Sequence, residues 1–420
     1  MNARSILFLQ GNASWFYHRL GRALAENGHH VRRVNICGGD WVFWRDWNAL
    51  DFSDPMAGFE PFLEELMARE GVTDIVLHND CRAVHRTAIA VAKARDATAW
   101  VCEEGYLRPD WLTLERYGIN GYSRLPDDPD WYRETARGLP PYDPGEPVGA
   151  ATRLRIAYDF KWQFANYLHG RRWPHYVTHR PYPILKEYAT WAVRLAALRW
   201  AGPRARRVVD ALARGGPAYF LFPLQLDTDS QIRVHSPFER MPAAIEAVIA
   251  HFAAEAPPES RLVIKNHPLD NGYINYNRLI KRLARRRGAA DRVTFIDGGD
   301  GNALIDGARG VVTVNSTMGL TALERGAAVI CLGKAVYDVP GMTHTGGLAS
   351  FWQAPEKPCM DLLDAYRRVV ARTSLINGNF YSDAGLDSAV GHAVSRIESP
   401  IDPLADAPPR RMNVENRLTA

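Results

Sequence analysis

The chain opens with short apolar runs that alternate with amphipathic stretches. Ser5–Leu9, Val31–Ile36, Thr73–Leu77 and Thr98–Cys102 are continuous apolar or β-branched runs of the kind buried in parallel sheets. Between them, Trp15–Asn27, Glu60–Glu70 and Ala83–Arg95 carry apolar residues at helical spacing, as Phe16, Leu20, Ala23 and Leu24 illustrate. The pattern predicts alternating β and α over the first ~115 residues. Each strand meets polar or glycine-rich residues: Gln10–Gly11, Gly38–Asp40, His78–Asp80 and Glu103–Gly105. Parallel strands gather those ends on one rim, where open α/β sheets bind ligands. The two glycines of Gly38–Asp40 suggest a loop that a ligand approaches closely.

From Tyr117 to about Pro217 prolines, tryptophans and tyrosines are dense, with helices predicted around 151–168 and 184–201 joined by the run 171–183. This reads as an elaboration of the first domain or a connector. A second alternation begins at Ala218. Strands are predicted at Tyr219–Phe222, Arg261–Ile264, Val293–Ile296, Val311–Val314 and Ala328–Leu332, with helices between them. The expected class is α/β with two Rossmann-like domains, over 1–216 and 217–376. A C-terminal helix and a loosely ordered tail should fill 377–420.

At 420 residues, two domains are the natural division, and 46% hydrophobic residues suffice for sizeable cores. A net charge of +4 gives no argument for nucleic acid. The five cysteines are scattered, odd in number and outside CxxC pairs, which favours reduced thiols and no metal framework. No window approaches a membrane span, so a cytoplasmic chain is expected, peripheral on the inner membrane at most. The basic runs Arg204–Arg207 and Arg278–Arg287 read as solvated helix faces, with contact to an anionic membrane surface as the sharper alternative.

Four stretches carry candidate chemistry. In TAWVCEEGYLRPDWLTLE a strand runs into Glu103 and Glu104, an acidic pair that is costly to desolvate without partners or a task. VNSTMGLTAL offers Ser316 or Thr317 as a cap, helix-start N–H groups for an anion, and Gly319 for close approach. KNHP sets Lys265 and His267 at a strand end, a cation and an imidazole suited to a phosphate. FPLQLDTDSQI places Gln225, Asp227 and Asp229 after a strand. Its DxD invites a metal, but a hydrogen-bonded loop is the better reading.

Together with FLQG and NICGGDWVFW, these motifs resemble the capsule polysaccharide synthesis family, specifically its KpsS-type transferases of β-Kdo (3-deoxy-manno-octulosonic acid), in family order over most of residues 6–355. The resemblance implies a GT-B-like architecture of two Rossmann-like domains facing a cleft. It implies retaining transfer of Kdo from CMP-β-Kdo to a lysophospholipid, with no cofactor or metal, and other capsule-assembly proteins as partners. Carried over by motif, Lys265, His267, Asn315, Ser316, Thr317 and Gly319 would hold CMP. Gln10, Gly11, Asp40, Arg108 and Gln225 would shape the sugar and acceptor side. The position matching the proposed nucleophile of related retaining Kdo transferases is Glu104, with Glu103 beside it as the other candidate. Another nucleotide-sugar or glycerophosphate transferase, or a non-catalytic export scaffold, are the alternatives.

Overall fold

The computed structural model describes residues 3–149, 151–178, 182, 184–411 and 415–418. Contacts divide the chain into two compact units. Unit 1 comprises residues 1–124, 141–179 and 368–407; unit 2 comprises 125–140, 180–367 and 408–420.

In unit 1, β1 (Ser5–Phe8), β2 (His30–Asn35), β3 (Ala49–Asp51), β4 (Asp74–His78) and β5 (Thr98–Glu104) are parallel in the order β3-β2-β1-β4-β5. The order reverses between β1 and β4, which defines a switch point at their carboxyl ends. The sequence pattern did not predict β6 (Trp111–Arg116), which runs antiparallel to β5, nor the edge strand Leu375–Asn377 beyond it. The second is three residues long, and the first directly follows Pro109 and Asp110, which read as a loop. Unit 1's core joins Phe8, Phe16, Leu20 and Trp100 to Ile376, Phe380, Leu386 and Ile397. The helix Asp383–Glu398 therefore closes the first sheet. The expected boundaries at 216 and 376 shift for this reason: an apolar face is assigned by what buries it, which chain order does not specify.

Unit 2 repeats the architecture. Its strands β7 (Tyr219–Pro223), β8 (Arg261–Lys265), β9 (Val293–Ile296), β10 (Gly310–Thr313) and β11 (Val329–Cys331) are all parallel, in the order β11-β10-β7-β8-β9. This is the same order as in unit 1, with the reversal between β7 and β10. Phe220, Phe222, Ile245, Phe252, Leu262 and Val312 form its core. The helix Ile184–Ala213 belongs to this unit rather than to the first.

The tail is less loose than expected. Arg417 pairs with buried Asp338 at 3.0 Å, and Arg410 donates to the Ala335 and Asp338 carbonyls. Part of the predicted connector, residues 179–181 and 183, lies outside the described residues, as do 412–414 and 419–420 of the tail. The side chains of Arg204, Arg206, Arg207 and the basic residues of 278–287 are exposed, as solvated faces would be. Among the described residues no helix is long and apolar enough to cross a membrane.

Candidate functional site

Strand geometry separates the two acids of unit 1. Successive side chains on a strand point to opposite faces, so Glu103 and Glu104 cannot both face one ligand. Glu103 Oε1 accepts from Asn79 Nδ2 at 3.2 Å and Oε2 from Asn120 Nδ2 at 2.8 Å. Glu104 emerges on the other face. Its Oε2 accepts from Arg108 Nη1 at 2.7 Å, and its Oε1 lies 3.6 Å from Arg155 Nη1. The Glu104 side chain keeps 25% exposure, so a carboxylate held by two guanidiniums still reaches solvent. Arg155 also lies over the ring of Tyr381, whose hydroxyl burial pushes up to about 12. Arg108 is thus placed beside Glu104 as the motif suggested. Arg155 and Tyr381 were not legible, because they come from distant segments.

At the unit 1 switch point, Gln10 is buried, bonded to Asp40 and Cys37 through Nε2. Arg82, capping the helix Ala83–Ala94, donates to Gln10 Oε1 at 2.7 Å and to the Gly11 carbonyl at 2.9 Å. Sequence reasoning missed Arg82, although its place just past the β4 end was a usable signal. Asp40 corrects an expectation. It is fully buried and paired with Arg33 at 2.6 Å, so it holds the sheet together and offers no surface to a sugar or acceptor. The Gly38–Asp40 segment is likewise no loop; it starts the helix Gly38–Trp44. The partner that needs its glycines is internal: a Cβ on Gly39 would fall 2.2 Å from the Trp162 ring, and one on Gly38 2.4 Å from the Ala165 carbonyl oxygen.

In unit 2 the rim gathers the ends of β7, β8, β9 and β10. Lys265 is buried at the end of β8, and its side chain's one hydrogen bond among the described residues is a long one to the Asn266 carbonyl at 3.4 Å. Burial lowers its pKa, against the nearby acid Asp297, which raises it. His267 Nδ1 accepts the Leu269 N–H at 3.1 Å, so a neutral ring carries its proton on Nε2. The turn is held by Arg194, which donates to the carbonyls of His267, Pro268 and Asp270 and pairs with Asp297 at 2.7 Å. Nothing local in the sequence announces Arg194.

At the unit 2 switch point the structure revises three expectations. Gln225 bonds Asn315 twice, at 2.8 and 3.2 Å, and Asn315 Nδ2 also donates to the Gln231 carbonyl. Both amides therefore lock the β7 and β10 ends together, so that Gln225, expected on the sugar side, is bonded to Asn315, expected at the nucleotide. Ser316 caps the helix Thr317–Glu324, taking the Met318 N–H with its hydroxyl while its carbonyl takes that of Gly319. Part of the helix-start donor set is thus already engaged; Thr317 stands at the first helical position, half-exposed. Gly319 makes room for Tyr337, whose hydroxyl oxygen would lie 2.3 Å from a Cβ there, and not for a phosphate. In the DxD stretch, Asp227 pairs with Arg240 and accepts from Tyr182 at 2.6 Å, while Asp229 caps Ser230–His235. Both acids have protein partners.

These observations define a mixed α/β protein of two nucleotide-fold units, with a guanidinium-flanked carboxylate at one strand end and a buried lysine at another. The chain belongs to the family described as capsule polysaccharide biosynthesis protein, whose profile matches residues 73–381. It is 33% identical over 389 residues to the capsule polysaccharide modification protein LipB of Neisseria meningitidis serogroup B, covering 91% of this chain and 92% of LipB. It is 32% identical over 382 residues to the capsule polysaccharide export protein KpsS of Escherichia coli, covering 91% and 98%. Among solved structures it is similar to the Thermosulfurimonas dismutans KpsC β-Kdo 2,7 transferase, at 14% identity and TM-score 0.44, covering 94% of this chain and all of that one.

Proposed function

We propose that this protein is a retaining glycosyltransferase of capsule assembly that moves Kdo from CMP-β-Kdo to a lysophospholipid or Kdo-lipid acceptor. Its membership of the capsule family and the relatives named for capsule modification and export support a place in capsule synthesis. The observation that carries the catalytic reading is Glu104, ionisable, partly exposed and flanked by Arg108 and Arg155.

In this reading the Glu104 carboxylate attacks the anomeric carbon, and CMP departs with the bonding electrons. An acceptor oxygen then displaces the carboxylate and loses its proton, so two inversions give net retention. Kdo is itself a carboxylic acid, and planar guanidinium forks suit a carboxylate. Arg108 and Arg155 would exchange part of their contact with Glu104 for the sugar's own carboxylate, freeing Glu104 to react. Lys265 would compensate the CMP phosphate charge, and His267 Nε2–H would donate to a phosphate oxygen as it departs. No metal is called for in these roles.

Incubating purified protein with CMP-Kdo and lysophosphatidylglycerol should release CMP and yield a Kdo-lipid. Glu104→Gln should lower that rate by at least ~100-fold with an unchanged melting temperature. Glu103→Gln should cost less. Near-normal turnover by Glu104→Gln would remove this acid from the chemistry, and turnover of uridine donors alone would overturn the donor assignment.

A further inference from the structure

The helix Thr152–Leu168 has two apolar faces. One packs on unit 1: Trp162 and Ala165 are buried against the Gly38–Trp44 helix, and Asn166 Oδ1 accepts the Gly39 N–H at 2.7 Å. The other carries Ile156, Phe160, Phe164 and Tyr167, spaced four, four and three residues apart and thus aligned on one side. Leu168 flanks them. These large side chains are exposed to between 49% (Ile156) and 86% (Tyr167). Phe160 and Phe164 stack on each other with ring centroids 6.3 Å apart. A surface helix normally turns a polar face outward, so a continuous outward apolar stripe of about 17 Å marks a contact surface.

We infer that this stripe is a membrane-docking face that lies in the headgroup layer of an anionic bilayer. Charge selects this occupant. Arg155 and Arg172 are held by Glu104 and Asp51, and Lys161 lies over the rings of Trp15 and Phe43, so the cations beside the stripe are Arg153 and Arg171. Arg153 lies on the stripe's own face at its amino end, and Arg171 follows its carboxyl end; both are exposed. Apolar and aromatic residues bracketed by arginines match the interface between acyl chains and anionic headgroups. A second copy of the chain fits worse. Two antiparallel stripes would set Arg153 against Arg171 of the other copy, bringing like charges together. The opposite side of the same helix carries Arg155, 3.6 Å from Glu104. On the transferase reading, on which this step rests, docking would hold the Glu104 end of the sheet about one helix diameter from the bilayer that supplies a lipid acceptor.

The test is flotation of the full chain with vesicles of phosphatidylethanolamine containing one quarter phosphatidylglycerol. Wild type should float. The double variant Ile156→Glu/Phe164→Glu should lose the bound fraction about tenfold, with an unchanged melting temperature because both positions are exposed. Phe164→Trp should show a blue-shifted emission on adding vesicles. Glu104→Gln should float like wild type; wild-type protein that floats but transfers no Kdo would count against the transferase reading alone. With a short-chain soluble acceptor the double variant should turn over normally, and with vesicle-borne acceptor poorly. The inference falls if wild type does not float, if the double variant floats equally well, or if the double variant converts a dimer to a monomer without altering vesicle binding.

Discussion

The two units share one strand order and treat charge at the switch point in opposite ways. In unit 1 the β1 and β2 ends bury a closed ion pair, Arg33 with Asp40, capped by Gln10 and reached by Arg82. In unit 2 the switch point is closed by neutral amides, Gln225 and Asn315, and one strand away lies a buried lysine that makes no ion pair among the described residues, with Asp297 acting on it from nearby. Paired buried charge is structural, because removing either partner strands the other. Unpaired buried charge is costly as it stands and becomes favourable when a counter-ion arrives. The same topology thus uses one switch point to seal an ion pair and elsewhere leaves a buried cation without one.

Asp40→Ala offers the largest expected break in this contrast. Arg33 would be left buried and uncompensated, at about 3–5 kcal/mol, read as the shift in urea unfolding. If Asp40 instead met substrate, stability would hold and activity alone would fall.

A second test follows from Glu115 on β6, which burial pushes from 4.5 to about 7, against a hydrogen bond from Ser123 at 2.6 Å. Its folded pKa exceeds its unfolded one, so between those values the native state binds more protons. Stability from this group is full below about 4.5 and is lost as the pH rises to about 7. The loss is up to ~3 kcal/mol. Glu115→Gln should flatten that fall in a melting-temperature profile; an unchanged profile would refute the assignment.

Lys265→Met is the smallest in energy and sharpens the other side. Removing a cation whose burial already lowers its pKa should leave the melting temperature level or raised, while CMP affinity measured by calorimetry falls about tenfold or more. Loss of stability with unchanged CMP affinity would make Lys265 another structural charge.

Much of the fold was legible. Apolar runs followed by helical spacing located the parallel strands of both sheets except the three-residue β3, because parallel strands buried on both faces must be continuously apolar. The rim residues Lys265, His267, Asn315 and Ser316 were visible for the same reason: polar residues that end a buried strand stand out. Strand β6 and Leu375–Asn377 were not, since the first follows Pro109 and Asp110 directly and the second is three residues long. The glycines misled in a consistent way. Gly39 and Gly319 do mark close approach, but sequence cannot say whether a ligand or a protein ring approaches, and here the rings of Trp162 and Tyr337 do.

By itself, then, the sequence determined that the protein is an α/β chain with two alternating halves, and which residues end its strands, since both follow from local periodicity. Tertiary structure decided the rest: that residues 368–407 complete the first unit, that Asp40 is sealed beneath Arg33, that Glu103 and Glu104 face opposite ways, and that Arg155 reaches Glu104 from a helix whose outer side is bare of polar cover. The first and last of these join segments far apart in the chain, and the other two depend on which neighbours pack around the side chain. Burial and ion pairing depend on what arrives from elsewhere, and no local pattern of residues encodes that.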